Sequence, residues 1–179
     1  VPERESTRDV LVSRVAASFV ALSPGARIGT GSIRRRAQLL HARPDLQVAE
    51  IRGNVDTRLR KLDEGRYDAI VLAEAGLKRL GLAGRITQIL PTELMLPAVG
   101  QGALGIEARS DDGPILTTLA RLDHPVTHSA VLAERALLAA LHTGCLAPVG
   151  AWARSEGDRL QLDAVVLSPE GRERLSVSV

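Results

Sequence analysis

The chain has 179 residues and a formal net charge of +2, from 23 basic and 21 acidic side chains, and Phe19, Tyr67 and Trp152 are its only aromatics. That length allows one large domain or two small ones around an aliphatic core. The near-balanced charge argues against a general nucleic-acid binder, and so few aromatics cannot build base-stacking platforms. No apolar run approaches a membrane span and no signal peptide is visible. Cys145, the lone cysteine, cannot form an internal disulfide, which fits a reducing cytoplasm. The chain opens on Val1 and its one methionine is Met95, so further sequence is expected upstream.

In chain order, Val1 to Arg8 is polar and leads into a short apolar segment around Val10 to Val12. Ser23-Pro24-Gly25 reads as a turn, and Ala26-Arg27-Ile28 as a strand running into Gly29-Thr30-Gly31-Ser32. Ser32 is placed to cap a helix whose apolar face is Ile33, Ala37 and Leu40, ending before Pro44. Leu46 to Ile51 is a second strand candidate. Asn54 is the expected cap of a helix with Val55, Leu59 and Leu62 on one face and Gly65 at its end. Asp68 to Ala73 is a continuous apolar run, as in a strand buried on both faces, and Ala75 to Leu80 reads as helix closed by Gly81. This alternation predicts a parallel or mixed sheet covered by helices.

Beyond Met95, Pro97 and Gly100-Gln101-Gly102 mark a hinge, Ala103 to Ala108 reads as a strand, and Pro114 opens a helix reaching about Leu122. After an Asp123 to Pro125 linker, Val126 to His142 is a long helix with Ala130, Val131, Leu137, Leu138 and Leu141 on its apolar face and Gly144 as its stop. From Pro148 the period becomes two. Leu160, Leu162, Ala164 and Val166 share a strand face, and turns at Glu156-Gly157-Asp158 and Pro169-Glu170-Gly171 predict a three-stranded antiparallel meander.

Arg34, Arg35 and Arg36 occupy the first turn of their helix, where the partial charge is already positive and acidic side chains are preferred. An anionic ligand held by helix N–H groups and guanidinium forks would compensate; a solvated basic surface is the plainer reading. Arg52 and Arg58 flank the second strand-to-helix turn and Lys78-Arg79 follows the third strand, the rim where open α/β sheets bind ligands. His41, His124, His128 and His142 lack metal-ligand spacing, and there is neither a P-loop nor a GxSxG elbow. Cys145 reads either as a small buried hydrophobe or, following a helix-ending glycine, as a reactive thiol.

Five motifs, in order and spread over nearly the whole chain, carry a specific resemblance: Gly29-Thr30-Gly31-Ser32-Ile33-Arg34-Arg35, Arg52-Gly53-Asn54-Val55-Asp56-Thr57-Arg58, Ala75-Gly76-Leu77-Lys78-Arg79-Leu80-Gly81, Leu96-Pro97-Ala98-Val99-Gly100-Gln101-Gly102 and Gly144-Cys145-Leu146-Ala147-Pro148-Val149-Gly150. Together they resemble the porphobilinogen deaminase (hydroxymethylbilane synthase) family. The resemblance implies a cytoplasmic, monomeric transferase of tetrapyrrole biosynthesis, supplying haem, chlorophyll and cobalamin. It joins four porphobilinogen units with release of ammonia, binding neither nucleic acid nor membrane and using no metal. It implies a dipyrromethane cofactor on Cys145 as a thioether, with Ser32, Arg34, Arg35 and Arg58 around the cofactor and Arg4, Arg34, Arg52, Arg58, Arg79 and Gln101 for the substrate's carboxylates. The family's catalytic aspartate has no match here and is expected upstream of Val1, so the chain alone is expected to be inactive. Gly31 stands where the family usually carries a second serine.

The implied architecture is α/β, a two-lobed solute-binding-protein-like mixed sheet with flanking helices, followed by a small α+β C-terminal domain with an antiparallel three-stranded sheet. Residues 1–9 are expected to be a connector from a first domain, 10–97 the α/β substrate- and cofactor-binding domain, 98–122 the hinge and a segment returning to the first domain, and 123–179 the C-terminal domain carrying the cofactor cysteine, expected to be cut short. The alternative is a non-catalytic small-anion-binding effector or solute-binding domain, which would need neither Cys145 nor three arginine motifs.

Overall fold

The computed structural model describes residues 1–142 and 147–179. Its first sheet contains β1 (Asp9–Ser13), β2 (Arg27–Gly29), β3 (Gln47–Ala49), β4 (Ala69–Ala73) and β5 (Gln88–Ile89), in the order β3-β2-β4-β1-β5. β2 runs parallel to β3 and β4, whereas β1 is antiparallel to β4 and β5, so the sheet is mixed. The antiparallel β1 delivers its first residue to the rim where the parallel strands deliver their last: Asp9 lies opposite Ala73, at the carboxyl end of β4.

Period-two alternation places side chains on both faces of this sheet. Leu11 and Val71 pack with Ile28, Leu39 and Phe19 on one face, and Val10, Val12, Ile70 and Leu72 pack with Leu59, Leu62 and Leu77 on the other. Helix α1 (Ile33–Ala42) covers the first face through Leu39. Helices α2 (Val55–Asp63) and α3 (Glu74–Arg79) cover the second. Burial of both faces accounts for the unbroken apolar run in β4. Ser32 caps α1 by accepting from the Arg35 N–H at 3.4 Å; Asn54 occupies the cap position of α2 without a side-chain bond.

One element departs from expectation. Ala103 to Ala108 forms no strand, and from Leu104 onwards it is exposed. Among the described residues no strand pairs with it, and an apolar segment without a ladder partner does not gain the hydrogen bonds that define a strand. Helix α4 (Gly113–Ala120) follows, capped by Asp112, with none of its residues buried; Ile115 and Leu116 are open to solvent.

Helix α5 (Pro125–Ala140) then leads to the sheet β6 (Val149–Glu156), β7 (Arg159–Leu167) and β8 (Arg174–Ser178), an antiparallel meander as predicted. Val149, Ala151 and Ala153 lie opposite Val166, Ala164 and Leu162, so the predicted face of β7 is real. Its other face is used too: Val165 and Leu167 pack on Leu96 and on Ala37 of α1, joining the two sheets. The turn before β8 makes the same junction, with the Gly171 carbonyl 2.9 Å from His41 Nδ1. At Gly171 φ is +72°, and a Cβ there would stand 2.6 Å from the His41 backbone nitrogen.

Gly171→Ala should therefore lower stability by about 1–3 kcal/mol, combining left-handed strain with a backbone clash. Gly157→Ala shares the positive φ, at +61°, but faces open space, and should cost less. Urea unfolding followed by the fluorescence of Trp152, which packs at this junction, compares the two.

Candidate functional site: an arginine cavity at the strand ends

Strand β2 feeds α1 on one face of the sheet, and its neighbour β4 is reached through α2 on the other. The connections therefore part between β2 and β4, and a crevice opens at their carboxyl ends. Arg34 and Arg35, in the first turn of α1, are 4% and 9% exposed there. Asp9, fully buried, reaches both. Its Oδ1 accepts from Arg35 Nε at 3.1 Å and Nη2 at 2.8 Å, and its Oδ2 lies 2.8 Å from Arg34 Nη1 as an ion pair without hydrogen-bond direction. Arg35 also donates to the Val71 carbonyl at 3.2 Å, and Arg34 to the Leu96 carbonyl.

Part of the compensation for these first-turn cations is thus internal, a correction to the expectation that a ligand supplies it. It is incomplete, because one carboxylate faces two guanidinium groups. Burial alone would push the Asp9 carboxyl up, but Arg34 and Arg35 outweigh it and hold the group below the ordinary carboxylate range. Burial draws the Arg34 guanidinium down; Asp9 opposes this and the Arg35 charge adds to it. Arg34 Nε remains buried without a partner among the described residues.

Arg35 and Arg58 line one cavity of about 510 Å³ together with Gly53, Asn54, Asp56 and Gly76. Arg58 Nε donates to the Gly53 carbonyl at 2.7 Å, which aims the fork. Its guanidinium is drawn down by partial burial and then by the charge of Arg35. Arg79 lines an adjoining cavity of about 480 Å³ with Lys78, Glu5 and Gly102, and the two cavities share Gly76. At Gly102 a Cβ would meet the Glu5 carbonyl oxygen at 2.5 Å, so only glycine lets the Gly100 to Gly102 turn lie against the N-terminal segment.

The remaining candidates are dispersed. Arg4 makes a bidentate pair with Glu134 at 2.8 and 3.0 Å, and its Nε donates to the Gln101 carbonyl at 2.8 Å. Gln101 Nε2 donates to Asp9 Oδ1 at 2.9 Å and its Oε1 accepts from Arg34 Nη2 at 3.3 Å. Arg52 is exposed and pairs with Glu50 at 2.6 Å, outside the cavity. Arg36 turns away to the Val48 carbonyl, and Ser32 serves as the cap of α1. Cys145 lies outside the described residues. Among the described residues no group of acidic, histidine or cysteine side chains could hold a metal, and no helix is long and apolar enough to cross a membrane.

Residues 1–117 match the family described as porphobilinogen deaminase, dipyromethane cofactor binding domain, and residues 128–178 match the porphobilinogen deaminase C-terminal domain. The chain belongs to the porphobilinogen deaminase family. It is 57% identical over 173 residues to the porphobilinogen deaminase of Desulforudis audaxviator, covering 97% of this chain and 56% of that protein. It is 53% identical over 171 residues to that of Roseiflexus sp. (strain RS-1), covering 96% and 56%. The chain thus spans a little over half the length of these relatives. A Salmonella typhimurium periplasmic binding protein of solved structure has a TM-score of 0.44 at 20% identity, over 76% of this chain and 62% of its own.

The arginine cavity lies within the residues matched to the cofactor-binding domain of porphobilinogen deaminase. Its residues fit a carboxylate-bearing cofactor: burial and then the Arg35 charge oppose the charge of Arg58, and the buried Asp9 carboxylate beside Arg35 is already engaged. Sequence reasoning missed two residues. Asp9, read as connector, abuts the apolar Val10-Leu11-Val12 run, so its side chain enters the sheet. Glu134 falls at i+4 from Ala130 and i−3 from Leu137, inside the apolar register of α5, where an acid signals a buried partner.

Asp9→Asn should destabilise the protein by about 3–5 kcal/mol, the usual cost of stripping one partner from a buried ion pair. Because the folded carboxyl is held down, its contribution is complete above the unfolded value of about 3.9 and is lost as pH falls through the lower folded value. The gap between wild type and Asp9→Asn in urea midpoint should stay level from neutral pH to about pH 4 and narrow only below it.

Proposed function

We propose that this chain is the cofactor- and substrate-holding part of an enzyme that polymerises porphobilinogen into hydroxymethylbilane with release of ammonia. The observation that carries the reading is the facing pair Arg35 and Arg58, with Arg58 drawn down by burial and by its neighbour's charge, in a cavity at the strand ends. Each porphobilinogen unit brings two carboxylates, and a growing chain concentrates negative charge. Permanently charged planar forks suit such a ligand better than lysines do. The N-termini of α1 and α2 open beside the cavity and add partial positive charge.

In this reading Arg35 and Arg58 bind carboxylates directly, Arg79 extends the basic surface into the adjoining cavity, and Arg34 sets the local charge from beneath. Arg52, exposed beside Glu50, would reach the more distant units of a longer chain. When attached at Cys145 through a thioether, the dipyrromethane supplies the pyrrole terminus from which the chain grows. Ser32, besides capping α1, places a hydroxyl at the same turn. The reading carries a division into a connector (1–9), the α/β domain (10–97), the hinge and following segment (98–122) and the C-terminal domain (123–179). It also carries a cytoplasmic, monomeric protein. A non-catalytic anion-binding domain is disfavoured by membership of an enzyme family.

In the full-length enzyme, Arg58→Ala should raise KM for porphobilinogen about tenfold or more, since a lost charge-assisted bond costs about 1.5–3 kcal/mol. Arg52→Glu should stop elongation, and near-normal turnover in a folded Arg52→Glu protein would remove that residue from the site. Cys145→Ser should give folded protein that lacks both the dipyrrole mass and activity. A dipyrrole found by peptide mass spectrometry on any fragment without Cys145 would reject the attachment.

A further inference from the structure

The arginine pair is joined to the C-terminal domain by a continuous chain of polar contacts, buried at Glu134 and Asp9 and part-buried at Arg4 and Gln101. Glu134, fully buried on α5, accepts from Arg4 through both oxygens, from the Gly100 N–H at 2.6 Å and from the Ala153 N–H at 2.9 Å. One carboxylate therefore ties the N-terminal segment, the hinge and β6 to α5. Arg4 continues the chain by donating Nε to the Gln101 carbonyl. The Gln101 side chain then bridges both members of the ion-pair cluster, donating to Asp9 Oδ1 and accepting from Arg34 Nη2. Asp9 Oδ1, through its two bonds from Arg35, sets the pose of the guanidinium that lines the cavity.

Gln101 does not line the cavity that Arg35 and Arg58 share. Its amide is spent on Asp9, Arg34 and the Thr7 carbonyl, the last at 2.7 Å. This speaks against a direct ligand contact and for action through another group. We propose that Glu134, Arg4, Gln101 and Asp9 form a relay of positioning residues that sets the pose of Arg35, so that the hinge and the C-terminal helix govern affinity at the carboxylate cavity. The relay rests on the reading that Arg35 binds substrate carboxylates. Its physical basis is that a hydrogen-bonded network anchored at two buried carboxylates, with each member engaged by several partners, has few alternative arrangements, so a shift at Gly100-Gln101 is passed to Asp9 rather than absorbed.

The test is calorimetric binding of porphobilinogen to full-length protein carrying Cys145→Ala, which removes covalent loading from the readout. Gln101→Leu removes the amide and leaves the Arg4 to Glu134 pair intact; Arg35→Lys removes the bidentate fork. Each should weaken binding about tenfold. The double variant should be weakened about tenfold as well, because Gln101 acts only through Arg35. A double variant weakened about a hundredfold, the product of independent effects, overturns the relay and makes Gln101 a separate contact. Glu134→Gln, with Gln101 untouched, should also weaken binding, and unchanged affinity in a protein of normal urea midpoint overturns the relay from its far end. Undiminished binding in Arg35→Lys overturns the carboxylate reading itself, and the relay with it, a result distinct from the multiplicative one.

Discussion

The site depends on one carboxylate between two guanidinium groups. Arg34 and Arg35 leave the first turn of α1 into a nearly dry rim, where desolvation and the Arg35 charge both oppose the charge of Arg34. Asp9 pairs with both, yet it is a single negative charge. The cluster is therefore stable enough to fold and remains electropositive. On the function proposed above, that balance suits a polyanion: fully neutralised arginines would attract nothing, and uncompensated ones would not stay buried.

Topology makes the arrangement possible. In an all-parallel sheet every strand would bring its first residue to the opposite rim from the helix starts. Because β1 runs antiparallel to β4, Asp9 emerges at the same edge as α1, α2 and α3 begin. The same edge receives the segment after β5, held at Leu96 by the Gln38 side chain through its two backbone bonds at 3.0 and 2.8 Å. The small C-terminal sheet is pinned by α5 through Glu134 and by α1 through Ala37. The arginine cavity, the Leu96 to Gly102 segment and the C-terminal sheet are thus linked by a short set of polar contacts beside the small apolar cluster of Ala37, Leu96, Val165 and Leu167.

Much of this was legible from residue order. Local rules decide where a strand or helix can form. The apolar run of β4, the Ser32 cap, the stop before Pro44 and the period-two pattern of β7 all appear where hydrophobic period and turn chemistry placed them. The arginine motifs were recognisable because three first-turn cations break a local rule. The strand expected at Ala103 to Ala108 failed for the complementary reason: strand propensity is realised only against a partner, and partners are not a local property.

The sequence by itself determined most element types, the mixed α/β class, the meander and the cations at the strand ends, since each follows from residues within one or two turns of one another. Tertiary structure alone decided which cations share a cavity, that Arg52 and Arg36 point elsewhere, and that Asp9 and Glu134 are buried partners of arginines 26 and 130 residues away. Those facts depend on strand direction and register. A carboxylate and a guanidinium carry no mark of which distant charge they will meet once water has been excluded from between them.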